Sequence, residues 1–391
     1  MVILMVLERD FPPDLRVENE IKSLQENGHK VVLVCYTLKG ETQKFEWHGS
    51  TVYKRKVSPL VYKSSVGALK FPFYFNFWRK HINYVLKNEK VDAVHIHDLP
   101  LAKVGYELKQ RYGIRFILDL HENWPAYLNV SRHTNTFLGK LLSKDKQWRN
   151  YEFVYCNRSD EVIVVIDEAK DRLVQLGINA SKIKVVANYP ELSDFDNLPP
   201  VKKTFNDQGK IILFYAGGIN YHRGLQFVIR SLPGVIEKYE ELELRIFGEG
   251  NYLNDLKVLV ESLKLENRVI FYGQVPYAKV LEELVQSHIT LIPHVKNEHT
   301  DSTIPHKLFQ YIFAGKPVLV SNCLPLERII KTINAGAVYE WDNPNEAAKE
   351  IIWIIENYNS FDPDKFKDIV IENYNWDNET KRLVEIYSKT K

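Results

Sequence analysis

Two cationic side chains stand where a chain can build an anion site. Lys307 opens the helix-like stretch KLFQYIF after Pro305-His306, and the N–H groups and dipole of a helix start favour phosphate. Arg223 follows an apolar run and the Gly-rich turn Ala216-Gly217-Gly218. An exposed surface lysine and a solvated helix-start arginine are the plainer readings of the pair. Gly248 and Gly250, in Phe247–Gly250, would let backbone approach a ligand or simply make a turn. His121, with Glu122 beside it, comes just after the apolar run Phe116–Leu120, so it is expected at a strand's carboxyl end, as a site residue or as a cap of that end. His97-Asp98 follows another run in the same way, although Asp98 before Leu99-Pro100-Leu101 also suits a helix N-cap. Metal chemistry is not expected. His121-Glu122 begins like a zinc-protease helix, but the place of the second histidine is taken by Pro125. Asp194-Phe195-Asp196 and Asp362-Pro363-Asp364 match a manganese-binding pattern only formally.

Apolar runs of strand length alternate with helix-period segments, the mark of a parallel sheet flanked by helices. Val2–Leu7, Lys30–Tyr36, Val91–Ile96, Phe116–Leu120, Glu161–Ile166 and Ile183–Val186 read as strands, and Arg16–Glu26 as a helix closing on Gly28. The polar stretch Asn188–Gly209 contains Pro190, Pro199 and Pro200 and lacks either hydrophobic period, so it reads as a linker. Beyond it, Ile211–Ala216, Leu242–Phe247, Val269–Tyr272, Thr290–Ile292 and Pro317–Val320 read as a second set of strands. Helices are expected near His222–Lys238, Asn251–Leu263, Ala278–Gln286, Lys307–Phe313, Asn345–Asn357 and Asn378–Ser388. The expected division is a Rossmann-like domain over 1–190, a linker over 191–209, a second Rossmann-like domain over 210–370 and a terminal helix in 371–391 packing back on the first domain. Ligands belong at the carboxyl ends of such strands.

The 391 residues, 45% hydrophobic and 26% charged, suit a globular protein of two domains. Cys35, Cys156 and Cys323 are odd in number and far apart, which fits neither a disulfide framework nor a paired-cysteine zinc site and points to a reducing cytosol. MVILMVL is too short for a signal peptide or a membrane span and runs into Glu8, Arg9 and Asp10. The net charge of +2 hides an asymmetry: residues 1–190 hold 29 Lys and Arg against 21 Asp and Glu. Within them Val52–Lys90 has nine basic residues, Lys54, Arg55 and Lys56 among them, and one acid, interleaved with aromatics. Such a strip suits an anionic lipid surface at the inner face of a membrane, although much of its aromatic content also suits a core. No nucleic-acid partner is expected. A dehydrogenase is disfavoured because no Gly-x-Gly-x-x-Gly follows Val2–Leu7.

Ordered along the chain are NGHKVVLV (Asn27–Val34), HIHDLP (His95–Pro100), LDLHENWP (Leu118–Pro125), NYP (Asn188–Pro190), AGGINYHRGL (Ala216–Leu225), FGEG, VIFYGQVP (Val269–Pro276) and PHKLFQYIFAGKP (Pro305–Pro317). This set resembles the family-4 retaining glycosyltransferases that build surface glycans and glycolipids. The resemblance implies the GT-B fold, two Rossmann-like domains facing across a cleft, and transfer of a sugar from a nucleotide-sugar donor to a glycan or lipid-linked acceptor without a cofactor. It implies that Arg223 and Lys307 bind the donor diphosphate, with Gly217, Gly218, Gly248 and Gly250 nearby and the Phe271–Val275 backbone framing the base. His121 would position the transferred sugar and stabilise charge, with Glu122 in support. Arg16, His97, Lys54, Arg55 and Lys56 fall on the acceptor side; for Arg16 a salt-bridged role is the alternative. Relatives usually carry two glutamates where this chain has Ser302, beside Thr303, and Gln310; the second of them holds the donor ribose. Those departures leave open a non-catalytic binding or scaffold relative, and another two-Rossmann enzyme, such as a sugar-nucleotide 2-epimerase, is a further alternative.

Overall fold

The computed structural model describes residues 1–130, 143–196, 198 and 209–388. The chain folds as two α/β units, one of Met1–Asn188 with Asp377–Lys391, the other of Tyr189–Trp376. Among the described residues no helix is long and apolar enough to cross a membrane.

The first unit is built on eight strands: β1 (Val2–Leu7), β2 (Lys30–Thr37), β3 (Gln43–Trp47), β4 (Ser50–Lys56), β5 (Ala93–His97), β6 (Arg115–Leu120), β7 (Glu161–Val164) and β8 (Ile183–Val185). They form one sheet in the order β3-β4-β2-β1-β5-β6-β7-β8, parallel except for the β3/β4 pair. Ile3 to Val6 and Val31 to Cys35 are fully buried, as a sheet covered on both faces requires. From β1 the order runs outward through β2 on one side and resumes with β5 on the other. That reversal marks the carboxyl ends of β1 and β5 as the place for a ligand. Between β1 and β2 the helix Leu15–Glu26 starts on the Asp14 carboxylate, which accepts from the Val17 N–H, and buries Val17, Ile21 and Leu24. It stops at Gly28, whose φ of +80° a residue with a Cβ resists.

The β3/β4 hairpin was not expected from the sequence. Its turn, His48-Gly49, has positive φ at both residues, 43° and 81°, as the tight hairpin turn demands. The helix Trp376–Ser388 packs on this unit: the Ala187 N–H donates to Glu379, and Arg115 donates to the Ile386 carbonyl.

In the second unit β9 (Ile211–Ala216), β10 (Leu242–Phe247), β11 (Val269–Gly273), β12 (Ile289–Ile292), β13 (Val318–Ser321) and β14 (Gly336–Tyr339) form an all-parallel sheet in the order β11-β10-β9-β12-β13-β14. Here the reversal lies between β9 and β12. Strand β14 and the helices Leu324–Ile333 and Pro363–Asn373 add to the expected elements. Of the stretch read as a linker, Leu192–Phe195 makes a turn whose Phe195 stacks on Phe313 at 3.9 Å, inside this unit, while 199–208 lie outside the described residues.

Candidate active site

The carboxyl ends of β9 and β12 bring two cations together. Arg223 ends a short turn, Tyr221–Arg223, and is followed by Gly224 at φ +71°. A Cβ on Gly224 would lie 1.6 Å from the Pro293 carbonyl oxygen, so only glycine lets this turn close on the loop after β12. Arg223 Nη1 donates to His294 Nε2 at 2.9 Å, and Arg223 Nε is buried without a hydrogen-bond acceptor. His294 is held neutral by burial and by Arg223 and Lys307. Lys307 Nζ lies 3.9 Å from the centre of the Tyr215 ring and donates at 3.3 Å to the Ala216 carbonyl. It sits directly over Gly217, where an added Cβ would be 3.5 Å away. Burial, and then Arg223, holds the Lys307 ammonium well below its ordinary pKa. Among the described residues neither cation has a carboxylate partner. His222 and His299 are both pushed down to about 4 by burial and the neighbouring positive charge, so neither ring adds a charge beside Arg223 at neutral pH.

The glycines here allow a close approach of backbone to backbone. A Cβ on Gly248 would meet the Gly217 carbonyl oxygen at 2.1 Å, and one on Gly250 the Ile219 carbonyl oxygen at 2.0 Å. They let the loops after β9 and β10 lie against one another, clamped by Gly217 N–H to Phe247 O and Ile219 N–H to Glu249 O. Gly218 accepts from the Tyr215 hydroxyl at 2.9 Å, which orients the ring under Lys307.

In the first unit a buried polar cluster forms at the ends of β5 and β6, around Asp119. Arg16 grips this carboxylate with Nη2 at 3.0 and 3.1 Å and Nε at 3.2 Å, while Nε also lies 3.0 Å from Glu20 and Nη1 donates to the Val186 carbonyl. His121 Nε2 is 3.1 Å from Asp119 Oδ2 and 3.1 Å from His97 Nδ1. The His121 backbone N–H donates to Asp98 Oδ1, and its Nδ1 is 3.7 Å from Asp98 Oδ2. Burial alone would discharge His121, but Asp98 and then Asp119 outweigh it and push its pKa up to about 9, so the ring is a cation at neutral pH. Asp119, though buried, is held well below the usual carboxylate range by Arg16 and His121. Burial raises Glu20 and Glu122 to about 8 each, and His95 and His97 are kept neutral by burial.

Asp98 does not cap the helix that follows. Its side chain makes no cap bond, its φ is +67°, and its carboxylate turns to His121 instead. A non-glycine residue held there costs about 1–3 kcal/mol and marks a functional or strained position.

Arg16 belongs to the salt-bridged alternative: at 5% exposure with every nitrogen engaged, it is not presented to an acceptor. His97 is likewise fully buried, stacked on His95 at 4.4 Å. Lys54 pairs with Asp10 at 2.6 Å and Lys56 with Glu41 at 2.9 Å, while Arg55 lies over the Phe77 ring. Of the aromatics in that strip, Tyr53, Tyr74, Phe75 and Trp78 are core, and Phe71 and Phe73 are exposed. Ser302 is buried and donates to the Glu298 carbonyl, and Thr303 donates to the His299 carbonyl. Among the described residues one group, Glu20, His95, His97 and Asp119, could in principle hold a metal ion. Arg16 already bridges both of its carboxylates, so a second cation does not fit. Asp119, His95 and Glu20 were not singled out in the sequence; for Asp119 and His95 the one signal was a charged or imidazole side chain inside an otherwise apolar run, and Glu20, in a polar-rich helix, carried none.

Residues 16–189 match the model of Glycosyltransferase Family 4 and residues 200–373 that of Glycosyl transferases group 1. An uncharacterized glycosyltransferase of Methanocaldococcus jannaschii is 27% identical over 317 residues, covering 78% of this chain and 76% of that one. The chain belongs to the family-4, group 1 glycosyltransferases. The phosphatidylinositol N-acetylglucosaminyltransferase GPI3 subunit of Saccharomyces cerevisiae is 25% identical over 411 residues, covering 99% of this chain and 82% of its own. Sucrose-phosphate synthase from Thermosynechococcus elongatus shares the GT-B fold at a TM-score of 0.75, with 13% identity, 99% of this chain and 98% of that one. As a glycosyltransferase of this family the chain uses a nucleotide-sugar donor. Its Gln310 amide donates to the Tyr277 hydroxyl at 2.9 Å, which leaves the amide oxygen free to accept.

Proposed function

We propose that this glycosyltransferase is a retaining enzyme that moves a sugar from a nucleotide-sugar to a glycan or lipid-linked acceptor, with Arg223 and Lys307 stabilising the donor diphosphate. The observation that carries the reading is a pair of recessed cations that have no carboxylate partner among the described residues, set at the strand ends where a sheet of this topology binds ligands. An unpaired buried cation is costly unless a ligand supplies the counter-charge. A diphosphate does so, and it favours the protonated form of Lys307 that burial disfavours. In the reaction the bond from the sugar to the diphosphate breaks and a bond from the acceptor oxygen to the same carbon forms. The acceptor's proton passes to the departing phosphate, whose developing charge Arg223 and Lys307 receive. His121, kept cationic by Asp98 and Asp119, positions the transferred sugar and stabilises charge, with Glu122 beside it. No step calls for a metal ion.

For the acceptor we favour a lipid-linked glycan or glycolipid presented at the inner face of a membrane. Leu60 (81% exposed), Phe71 and Phe73 crown a segment that also carries Lys63 and Lys70. The yeast relative's name specifies a phosphatidylinositol substrate, which supports the same class. Pelleting with anionic vesicles tests this: binding should fall in the Phe71→Ser/Phe73→Ser variant and with salt, and unchanged binding counts against it.

The donor reading is tested by thermal shift with UDP-, GDP-, ADP- and dTDP-sugars, followed by product analysis with the donor that binds. Transfer to an acceptor, lost in Arg223→Ala, supports it. Epimerised nucleotide-sugar without transfer would make the chain a 2-epimerase, and no shift with any donor would make it a binding subunit.

A further inference from the structure

Tyr387, on the helix Trp376–Ser388, reaches the polar cluster from the far side. Its hydroxyl lies 2.7 Å from His95 Nδ1, and its ring is buried against His95 and His29. The hydroxyl has no other partner among the described residues, so its proton goes to His95 Nδ1. That fixes the proton of the neutral His95 ring on Nε2, which lies 3.4 Å from Asp119 Oδ2 and 3.8 Å from Glu20 Oε2, a charge–dipole contact and not a formed hydrogen bond. Asp119 Oδ2 is in turn the oxygen that meets His121 Nε2 at 3.1 Å. The charged and titratable groups around this chain are Arg16 and Glu20 from the first helix, His29 against the Tyr387 ring, His95, His97 and Asp98 from β5 and its end, Asp119, His121 and Glu122 from β6 and its end, and Arg115 near Tyr387.

We propose that Tyr387 is a positioning residue for the transfer reaction, acting through the tautomer of His95 on the carboxylate that holds His121. The inference rests on the reading of His121 given above. With Tyr387 in place His95 presents an N–H to Asp119, so the carboxylate keeps one ionised geometry against His121. Without the hydroxyl, Nδ1 has no donor to accept from, and the ring is free to take the other tautomer or a second proton as the pH falls. Either change alters what Asp119 offers His121.

The test uses the full chain and the variant Tyr387→Phe, which keeps the ring and removes one oxygen. Nitrogen NMR of histidine-labelled wild type should show His95 protonated on Nε2 and bare on Nδ1; a proton on Nδ1 overturns the proposal. In Tyr387→Phe kcat should fall roughly tenfold, less than the 10²–10⁴-fold of a group that transfers a proton itself, with donor KM unchanged. A new decline of kcat towards acid pH should accompany it. Wild-type kcat and an unchanged pH profile would overturn the proposal. In a His121→Ala background the Tyr387→Phe change should cost nothing further. If His121→Ala alone leaves activity intact, the reading of His121 fails; if His121→Ala is impaired and Tyr387→Phe still costs its full factor, the Tyr387 inference fails alone.

Discussion

Replacing Lys307 by Met separates a ligand-binding cation from a structural one. Methionine keeps the length of the stem over the Tyr215 ring but removes the amine, whose sole hydrogen bond in the described structure is the 3.3 Å contact with the Ala216 carbonyl. Among the described residues nothing anionic is left unpaired by the change, so the free protein should lose no stability. Removing a desolvated, unpaired nitrogen is expected to raise the melting temperature by about 2–4 °C, equivalent to roughly 1 kcal/mol. The bound state behaves oppositely. A diphosphate that loses one of two close cations in a recessed site forfeits about 3 kcal/mol, which is roughly a 100-fold weaker Kd. Calorimetric titration with the nucleoside diphosphate that binds wild type, paired with thermal melts of the free proteins, reads both quantities. A variant that melts lower and binds nucleotide as well as wild type would refute the reasoning, because Lys307 would then be part of the scaffold.

Asp119→Asn leaves Arg16 buried against a neutral amide, and urea unfolding should show a loss of about 3–5 kcal/mol, with sugar transfer abolished. Gly248→Ala forces a Cβ to within 2.1 Å of the Gly217 carbonyl at a φ of +126°; it should destabilise by more than about 1 kcal/mol and erase the nucleotide-induced thermal shift. Because Lys307 is held below its ordinary pKa when free and charged when paired, nucleotide binding should take up a proton, seen as a buffer-dependent binding heat, and affinity should weaken as pH rises. His121 has a raised folded pKa, so its contribution to stability is complete below about 6.5 and is lost as pH rises through about 9; His121→Gln should flatten that alkaline part of a melting-temperature profile.

The parallel sheets were legible because Val2–Leu7 in β1, Val31–Tyr36 in β2 and Ile211–Ala216 in β9 are unbroken apolar runs, as a sheet covered on both faces produces. The β3/β4 hairpin was not, since QKFEW exposes residues on both faces and its turn uses His-Gly where Asn-Gly would have announced it. Four-residue β14, Gly-Ala-Val-Tyr, is too short to carry a period. Arg223 and His121 could be picked out because each follows a recognisable strand or turn, and Lys307 because it opens a helix after Pro305-His306; strand ends and helix starts are where anionic ligands sit. The partners that define their chemistry could not. Asp119 hides inside Phe116–Leu120, and its contacts come from Arg16, 103 residues away, while Tyr387 meets His95 across 292 residues. Likewise Lys54 looked like a free surface charge until the fold set it on Asp10, which no local pattern pairs with it.

A structure of the protein with a nucleoside diphosphate bound tests the central claim most directly. The diphosphate oxygens should lie about 3 Å from Lys307 Nζ and from the Arg223 guanidinium, over Gly217, as charge-assisted hydrogen bonds require. A diphosphate bound away from both cations, with Lys307 still over Tyr215 and bonded only to Ala216, would contradict it.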